Sequence, residues 1–313
     1  TIDYSTLEVR QLGDIYEGLL GGHLQRGDNG RLALLNDRGT NQRDGIFYTP
    51  DWVVQYLVRE TLQPLLDEIN ASAEVQAAQR ANSDEKRQDN SFAHAVLRLN
   101  VLDSAMGSGH FLVRATEFLA QKTFEHPTTR RMTEQIVSGG QSRRSREDII
   151  AAGRIPVPPG VSQEQAEIAY WRRRVVEACI YGVDTNPLAV ELTKLSLWLT
   201  CIAIDEPLNF LDHHLRCGNA LLGASPAELH RLPFISDAEA EEGVFDIGDR
   251  LTQTMAVVIK EHVDIATQAS TEMEIVKDKE RRWREVRAKL QPFLDLGDIW
   301  MAALDRLPIG HID

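Results

Sequence analysis

The chain has 313 residues, of which 42% are hydrophobic and 26% are charged, a composition typical of a globular protein rather than a disordered or fibrous one. Because the net charge is −13, the protein as a whole does not attract nucleic acid, and contact with DNA needs a local patch or another part of the protein. Three scattered cysteines argue against a disulfide framework or a zinc site, and no apolar run approaches the roughly 18 residues of a membrane span. We expect no metal, no membrane partner, no signal peptide and a reducing, cytoplasmic setting.

The N-terminal part predicts two helices separated by a loop or hairpin. Apolar residues recur at helical spacing over the first twenty residues, and the polar segment GGHLQRGDNGR follows them. The second helix is predicted after FYTP (47–50), because Thr49 is a good N-cap and Pro50 suits the first helical position. Residues 70–91 are polar and rich in alanine, which is typical of either a solvated helix or a disordered connection.

A strand, a glycine loop and a helix are predicted next. The apolar run VLRLNVL (96–102) predicts a strand that ends at Asp103. The loop that follows contains Gly107 and Gly109, and the segment after it has helical periodicity. The polar, proline-containing stretch 125–165 is predicted to be an insert with one short helix in it.

Two further strands complete the predicted sheet. ACIYGVD ends at Asp184, and Asn186 is then expected to cap a helix that begins at Pro187. The third apolar run is HHLRCGNALLG, and after about residue 246 the sequence is helical, with charges of alternating sign. The order of these elements predicts an α/β fold with helical additions at both ends.

The loop from Asp103 to Gly109 has glycines that let a ligand approach the main chain at a helix N-terminus. It is not a dinucleotide fingerprint, because Leu112 stands where a third glycine is needed, and it is not a P-loop, because no Gly-Lys-Ser/Thr follows. The acidic Asp103 disfavours a pyrophosphate and suits a ligand that carries an ammonium group. Taken alone, such a glycine pair is as often a plain turn between a strand and a helix.

Polar residues also end the other two predicted strands. Asp184 closes the second strand, where a carboxylate can accept both hydroxyls of a ribose, or it belongs only to an Asx turn before Pro187. Asn219 follows the third strand and could bond an adenine ring, although alone it is more often a turn residue. His213 and His214 are more often structural than metal ligands, because neighbouring strand residues point to opposite faces.

Four segments resemble, in this order, motifs X, I, II and III of the adenine-specific DNA methyltransferases. They are FYTP (47–50), LDSAMGSGHFLV (102–113), YGVDTNPLAVELTKLSLWL (181–199) and FLDHHLRCGNALLG (210–223). Motif X before motif I is similar to the γ arrangement of amino-methyltransferases. The pattern most resembles the large type IIG restriction–modification and phage-defence methyltransferases. The resemblance implies a partial Rossmann-like class I methyltransferase fold with S-adenosylmethionine as its cofactor.

By this resemblance, one group of residues surrounds the methionine part of S-adenosylmethionine. Tyr48, Thr49 and Pro50 would flank its carboxylate end. The residues that would line the methionine and sulfonium region are Asp103, Met106, Gly107 and Gly109. The sequence departs from the family at Ser104, where proline is usual, and at Met106, where cysteine is common. A site lined by backbone tolerates both changes.

A second group is implied at the nucleoside end. Asp184 would hold the ribose, Thr185 and Asn186 would lie beside it, and Asn219 would meet the adenine moiety. The chemistry agrees with this assignment. The cationic sulfonium and ammonium groups favour an acidic Asp103, and a ribose diol suits a carboxylate that only accepts hydrogen bonds.

The family's catalytic motif, Asn/Asp-Pro-Pro followed by an aromatic residue, is absent from this sequence. In such enzymes the motif bonds the target amino group and stacks on the flipped base. The resemblance therefore implies the cofactor half of an adenine-N6 DNA methyltransferase, inactive alone, whose catalytic, target-recognition and duplex-DNA contacts come from other regions. The expected parts are a helical lead-in (1–45), a cofactor-binding α/β half-domain (46–235) and a helical segment before the missing motif (236–313). The first strand would then be a long, apolar, unpaired sheet edge.

Two other functions fit the same motifs. A methyltransferase of RNA or protein could use the same cofactor half, or a non-catalytic module could bind S-adenosylmethionine as a sensor in a defence complex. An Asn-Pro-Pro-Tyr or Asn-Pro-Pro-Phe segment in a longer reading frame would favour the DNA-methylating enzyme. Its absence from such a frame would favour the sensor.

Overall fold

The structure is a computed structural model. It describes residues 22–26, 32–36, 49–81, 90–129, 133–134, 154–155, 157, 160–201, 211–223, 247–270 and 272–304. The chain divides into two compact units, residues 1–218 and 219–313. The predicted three-part division at about residues 45 and 235 stays a prediction, and the helix expected over the first twenty residues lies outside the described residues.

The first unit begins with an antiparallel hairpin of β1 (Gly22–Arg26) and β2 (Leu32–Asn36), in which Leu24 pairs with Leu34. The segment GGHLQRGDNGR is predicted to be a loop or a hairpin, and the hairpin is confirmed. The helices that follow are α1 (Asp51–Ala71), α2 (Ala73–Ala81) and α3 (Ser91–Val96). Because α2 lies in the alanine-rich stretch, the helical alternative is confirmed for that part of it.

The first helix begins one residue later than the sequence predicts. The expected cap at Thr49 is wrong: Pro50 precedes the helix, and its carbonyl accepts hydrogen bonds from the N–H groups of Val53 and Val54 at 2.9 and 3.2 Å. Pro50 has the extended backbone that proline favours, φ −54° and ψ 140°, so Asp51 becomes the first helical residue. The buried side chains, four residues apart on one face of α1, are Val54, Val58, Leu62 and Leu66.

The centre of the first unit is a small parallel sheet with helices packed on it. In chain order its elements are β3 (Val101–Asp103), α4 (His110–Glu125), a short parallel pair β4 (Thr133–Glu134) and β5 (Arg154–Ile155), α5 (Gln163–Cys179), β6 (Ile180–Asp184), α6 (Pro187–Thr200) and β7 (Leu215–Cys217). The strands pair in the order β3-β6-β7, all parallel. This arrangement is compatible with the predicted α/β fold. The carboxyl ends of the three strands meet at one edge of the sheet, where ligands bind in open α/β proteins.

The first strand of this sheet is shorter than predicted. Val96 belongs to α3, where it is buried with Phe92 and Ala93 at helical spacing, so the apolar run 96–102 serves the end of a helix and the start of a strand. Periodicity alone does not separate these two uses of a short apolar run. The expectation of a long strand at this edge is therefore wrong, because β3 has three residues. One of them, Leu102, is 63% exposed.

The sequence pattern does not predict α5, because part of its buried face is charged. Arg174 and Glu177 are both buried and form an ion pair at 2.8 Å. The start of the helix is nevertheless well defined: the N–H of Gln165 donates to Ser162 Oγ at 3.2 Å, and the N–H of Ser162 donates to Gln165 Oε1 at 3.0 Å. The helix leads directly into β6 and so fixes where that strand begins.

The core of the first unit joins the sheet to α1, α4, α5 and α6. Its best-buried members include Leu112 and Leu119 on α4, Val175 on α5, Ile180 on β6 and Leu197 on α6. Burying a side chain of this size contributes about 1.5–3 kcal/mol. These contacts hold α4 against the sheet, and the glycine loop lies immediately before this helix.

The second unit contains two long helices, α7 (Ile247–Thr267) and α8 (Met273–Leu304), which confirms the helical prediction for this region. Lys279 on α8 is 1% exposed, and its Nζ donates to the carbonyl of Gln268 and, at 2.9 Å, to Ser270 Oγ. The Lys279 side chain thereby ties α8 to the residues that follow α7. Among the described residues, none of the helices combines the length and apolar character of a membrane span.

Candidate functional site

The loop between β3 and α4 contains two residues in the left-handed region of backbone conformation. Gly107 has φ +53° and Gly109 has φ +83°, which glycine adopts without steric cost. The N–H of Gly109 donates to the carbonyl of Met106 at 2.8 Å, and the N–H of Ala105 donates to Asp103 Oδ1 at 3.1 Å. The loop is therefore a compact turn closed by its own hydrogen bonds.

Asp184, at the end of β6, is bonded to the glycine loop. Its Oδ2 accepts a hydrogen bond from the N–H of Gly107 at 2.9 Å, and its Oδ1 accepts one from the N–H of Asn186 at 2.8 Å. The Asx turn considered for Asp184 is present, but the same carboxylate also holds the loop that follows the neighbouring strand. A carboxylate offers about four lone-pair sites, so acceptor capacity remains for the hydroxyls of a ligand.

Thr185 and Asn186 lie between β6 and α6. The predicted helix cap is confirmed, because Asn186 Oδ1 accepts from the N–H of Leu188 at 2.9 Å and Pro187 is the first helical residue. Thr185 is exposed, and the Sγ of Cys217, at the end of β7, donates to its carbonyl at 3.6 Å. Both residues therefore lie beside Asp184 at the carboxyl edge of the sheet.

Asp103 and Asp184 end two neighbouring parallel strands, and their charges interact. Burial raises the pKa of Asp103, the hydrogen bond from Ala105 lowers it in part, and repulsion by Asp184 raises it further. A positive group placed between the two carboxylates would relieve this repulsion. The electrostatics of this edge therefore favour a cationic ligand over an anionic one.

Thr193, on α6, contacts both glycines of the loop. It is fully buried, and its Oγ1 donates to the carbonyl of Gly107 at 2.9 Å. A Cβ placed on Gly109 would lie 2.7 Å from Thr193 Cγ2, closer than real Cβ atoms approach other atoms. Position 109 therefore needs glycine for two reasons, the backbone conformation and the close approach of α6.

The chain is 25% identical over 248 residues to a protein of Methanocaldococcus jannaschii whose name describes a type II restriction enzyme and methyltransferase. This similarity supports a methyltransferase family. The match covers 71% of this chain and 17% of that protein, so the chain spans less than a fifth of its relative's length. No family model matches the chain, and no solved structure matches it.

The structure places Met106 in the core. Its side chain is 4% exposed and lies so close to Gly182 of β6 that no Cβ would fit there, and its N–H donates to the carbonyl of Val183 at 3.0 Å. The side chain of Met106 thus packs against the sheet beneath the loop, while the Met106 backbone forms part of the turn. The Met106 side chain fills the space above Gly182.

The other predicted site residues lie before α1 and after β7. Thr49 and Pro50 directly precede α1, whereas Tyr48 lies outside the described residues. Asn219 is the first residue of the second unit, and its Oδ1 accepts from the N–H of Leu221 at 2.9 Å, which is the turn considered as its alternative role. The adenine contact assigned to Asn219 stays a prediction.

A cluster that the sequence analysis missed joins α1 to α4. Asp51 Oδ1 lies 3.0 Å from His110 Nε2 and accepts from Arg114 Nε at 2.9 Å. Burial acts to raise the pKa of Asp51, but the contacts with His110 and Arg114 outweigh it and lower this pKa. Because Asp51 follows Pro50 and His110 follows Gly109, the cluster brings the segment resembling motif X next to the glycine loop. The sequence signal for this cluster was Asp51 in the first turn of α1 and two basic residues, His110 and Arg114, near the start of α4.

An apolar cavity of about 380 Å³ lies beside Asp103, between α1, β3 and α4. Ligand pockets commonly have volumes of roughly 300–1,000 Å³. The lining residues are Leu57, Val58, Thr61, Leu62, Val101, Leu102, Asp103, Ser104, Phe111, Leu112 and Ala115. Asp103 therefore borders both the glycine loop and a cavity of ligand size.

The paired histidines next to β7 are part of a packed group of rings. His213 and His214 are buried, their ring centroids are 4.0 Å apart, and the ring of Tyr181 lies 4.1 Å from that of His214. In the described part of the chain, no group of three or more His, Cys, Asp or Glu side chains has an arrangement that could hold a metal ion.

Proposed function

We propose that this chain is the S-adenosylmethionine-binding part of a site-specific DNA methyltransferase that modifies adenine at N6, in a restriction–modification or phage-defence system. The observation that carries the proposal is the meeting of Asp103, the Gly107–Gly109 loop and Asp184 at the ends of adjacent parallel strands. The similarity to a protein named as a restriction enzyme and methyltransferase supports it. S-adenosylmethionine, when bound, supplies an activated methyl group on a sulfonium.

The chemistry of the site fits this cofactor. S-adenosylmethionine carries a sulfonium and an ammonium. Two neighbouring carboxylates suit such a cation, since burial and then repulsion by Asp184 raise the pKa of Asp103. The loop backbone is open at Gly107, where a Cβ would meet no atom within 4 Å, and this gives a ligand close access to the main chain. The same features disfavour a dinucleotide or a nucleoside triphosphate, because Asp103 and Asp184 would repel its phosphates.

Each residue then has a specific task in binding. The acceptor capacity left on Asp184 would bind the ribose diol, with Thr185 and Asn186 at its side, and Asn219 would meet the adenine. Asp103 and the backbone of Met106, Gly107 and Gly109 would surround the methionine and sulfonium. Tyr48, Thr49 and Pro50 would flank the methionine carboxylate, and the contact between Asp51 and His110 supports this by bringing Pro50 near the loop.

A second candidate, a non-catalytic sensor of S-adenosylmethionine in a defence complex, is favoured by one observation. The sequence contains no Asn/Asp-Pro-Pro-aromatic segment, the set that bonds and stacks a flipped base in amino-methyltransferases. The enzyme proposal therefore needs catalytic residues, and contacts with duplex DNA, from other protein segments.

Calorimetric titration of the protein with S-adenosylmethionine, with NAD as the comparison ligand, tests cofactor binding. We expect binding of S-adenosylmethionine and of its demethylated product, and none of NAD. The DNA-modifying assignment is tested by incubating the native protein with labelled S-adenosylmethionine and DNA and then separating the nucleosides. N6-methyladenine supports the proposal, whereas binding without any methylated base favours the sensor. Absence of cofactor binding by the folded protein would refute both.

A further inference from the structure

The hydroxyl of Thr193 holds the carbonyl end of the glycine loop. Its Oγ1 donates to the Gly107 carbonyl at 2.9 Å, and Thr193 is fully buried on α6. On the other side of the same residue, the N–H of Gly107 donates to Asp184 Oδ2, also at 2.9 Å. Gly107 is therefore fixed at both of its peptide groups, one by Asp184 at the end of β6 and one by Thr193 on α6.

The bond from Thr193 fixes the orientation of a whole peptide plane, in addition to the position of the Gly107 carbonyl oxygen. In a trans peptide the C=O and the N–H point in opposite directions, so the bond from Thr193 also fixes the direction of the Ser108 N–H. Gly107 has φ +53°, in a region where glycine has wide freedom, so its neighbouring peptides have no preference of their own strong enough to set the loop. The bonds within the loop join Gly109 to Met106 and Ala105 to Asp103, so at Gly107 the peptide planes are set by Asp184 and Thr193.

The methyl group of Thr193 adds a steric limit. Its Cγ2 would lie 2.7 Å from a Cβ at position 109, so α6 packs directly against the backbone of Gly109. The two branches of one β-branched side chain thus contact the two glycines of the loop. The hydrogen bond from Oγ1 to the Gly107 carbonyl holds this rotamer and keeps both branches in these positions.

We propose that Thr193 is a positioning residue for the cofactor, which presets the peptide planes of the Gly107–Gly109 loop for S-adenosylmethionine through its hydroxyl. This inference rests on the proposed function, since it concerns the same pocket. It assigns a role to a residue of α6 that is not among the predicted cofactor contacts. A preset loop binds its ligand without the entropic cost of ordering the backbone first.

The test compares Thr193→Val, which removes the hydroxyl and keeps the shape, with Thr193→Ser, which keeps the hydroxyl. Thr116→Val is the matched control, because Thr116 is also fully buried in a helix but donates to the carbonyl of Leu112 in its own helix. Calorimetric titration with S-adenosylmethionine gives the dissociation constants, and thermal unfolding gives the stability of each variant.

We expect T193V to bind S-adenosylmethionine about 3- to 10-fold more weakly, the value of one hydrogen bond, while T193S and T116V stay within about twofold of the wild type. T193V and T116V should lose similar amounts in melting temperature, because each deletes one buried hydroxyl. A purely structural role would reduce stability alike in both and leave the affinity of T193V unchanged, which would overturn the proposal. Equal weakening in T193S and T193V would also overturn it, because the hydroxyl would then not matter.

A second measurement covers the case in which T193V does not fold. Thr193→Ala then replaces it, and the comparison of T193A with T193S decides the role of the hydroxyl in the same way. Faster hydrogen exchange of the loop amides in T193V or T193A than in T116V supports the proposal independently of ligand binding, and equal exchange contradicts it. If the wild type binds no S-adenosylmethionine, the proposed function itself fails. If the wild type binds it and T193V binds equally well, only the role of Thr193 fails.

Discussion

The carboxylate of Asp184 accepts a hydrogen bond from the N–H of Gly107 at 2.9 Å, although the two residues are 77 positions apart in the chain. The bond crosses from the end of β6 to the loop that follows β3. One carboxylate therefore does two things: it shapes the glycine loop, and it keeps acceptor capacity for a ligand. Substitution of Asp184 should affect loop geometry and ligand binding together.

Removal of the Asp184 carboxylate should weaken binding of S-adenosylmethionine. In Asp184→Ala the N–H groups of Gly107 and Asn186 lose their acceptor, and under the proposed function the ribose hydroxyls would lose theirs. We expect a cost of about 1–3 kcal/mol, or roughly 5- to 150-fold in dissociation constant. Calorimetry measures it, with Asp212→Ala as the control, since Asp212 is 53% exposed and pairs with Lys194. An unchanged dissociation constant in folded D184A would show that the ribose is held elsewhere.

Asp103→Asn should make the protein more stable and its cofactor binding weaker. Burial, followed by repulsion from Asp184, raises the pKa of Asp103, so the ionised form is disfavoured in the folded state. A raised carboxyl pKa means that stability is greatest below the unfolded value, about 3.9, and is lost as pH rises through the folded value. The asparagine variant escapes this loss, and its Oδ1 can still accept from Ala105.

Urea unfolding of wild type and D103N across pH 3 to 8 measures this effect. The gain in stability should be present at neutral pH and disappear as the pH falls to about 3.9. S-adenosylmethionine should bind D103N at least about tenfold more weakly, because a charged partner of its cation is lost. A variant that is less stable at neutral pH, or that binds with wild-type affinity, would contradict the assignment of Asp103.

Asp51→Asn should destabilise the contact between α1 and α4. The variant loses the charge that pairs with His110 and Arg114, at a cost of about 1.5–3 kcal/mol. The pKa of Asp51 is lowered, although burial alone would raise it. Its stabilising contribution is therefore present above about pH 3.9 and is lost as the pH falls through the lowered value.

The difference in unfolding free energy between wild type and D51N should thus shrink as the pH falls below about 4 and the Asp51 carboxylate becomes protonated. Asp67→Asn is the control, because Asp67 is an exposed residue of the same helix and accepts from Gln63 Nε2 at 2.8 Å. If the difference for D51N did not change on acidification, or if D67N cost as much, the cluster would not be the cause.

Local signals made some of these features predictable. Asn186 and Pro187 are adjacent residues with one standard role each, so the start of α6 follows from the sequence. Asp184 could be placed at a strand end because it directly follows an apolar run. The apolar run at Val96 was wrongly predicted as strand because a short run has no period long enough to decide.

Other features depend on residues that are distant in sequence. No spacing rule relates Thr193 to Gly107, or Asp51 to His110, because each pair meets only when the helices pack on the sheet. The start of α5 does carry a local capping signal at Ser162, but the buried pair of Arg174 and Glu177 interrupts its apolar stripe. Tertiary contacts therefore supply the part of the site that the motifs alone leave out.

The edge of the parallel sheet at Leu102 should promote self-association. Among the described residues β3 pairs with β6 alone, Leu102 is 63% exposed, and the apolar cavity lies beside it. Unpaired strand edges with apolar side chains attract other chains. Leu102→Lys should reduce concentration-dependent association in sedimentation experiments, whereas Leu188→Lys, a change at the 53%-exposed Leu188 on α6, should not. Equal effects of both changes would point to general hydrophobicity rather than to the edge.

The 313-residue chain should bind S-adenosylmethionine but transfer no methyl group to adenine by itself. Transfer needs a base held outside the helix stack, acceptors for its amino group and an aromatic face, and the sequence lacks the tetrapeptide that supplies this set in amino-methyltransferases. Positioning of the substrate contributes roughly 7–11 kcal/mol to such reactions, so its loss should abolish measurable turnover. A net charge of −13 also predicts weak, non-specific contact with duplex DNA.

Radiolabelled methyl transfer to duplex DNA measures this directly, in the chain alone and in a fusion to a segment that contains Asn-Pro-Pro-Tyr and a DNA-recognition domain. We expect activity only in the fusion, and D184A or D103N should remove most of it because both reduce cofactor binding. Transfer by the 313-residue chain alone would mean that its catalytic groups lie among the proposed cofactor-binding residues or in the core. In that case the exposed face of α6 beside Asn186 would be the first place to search, because it adjoins Asp184 at the edge of the sheet.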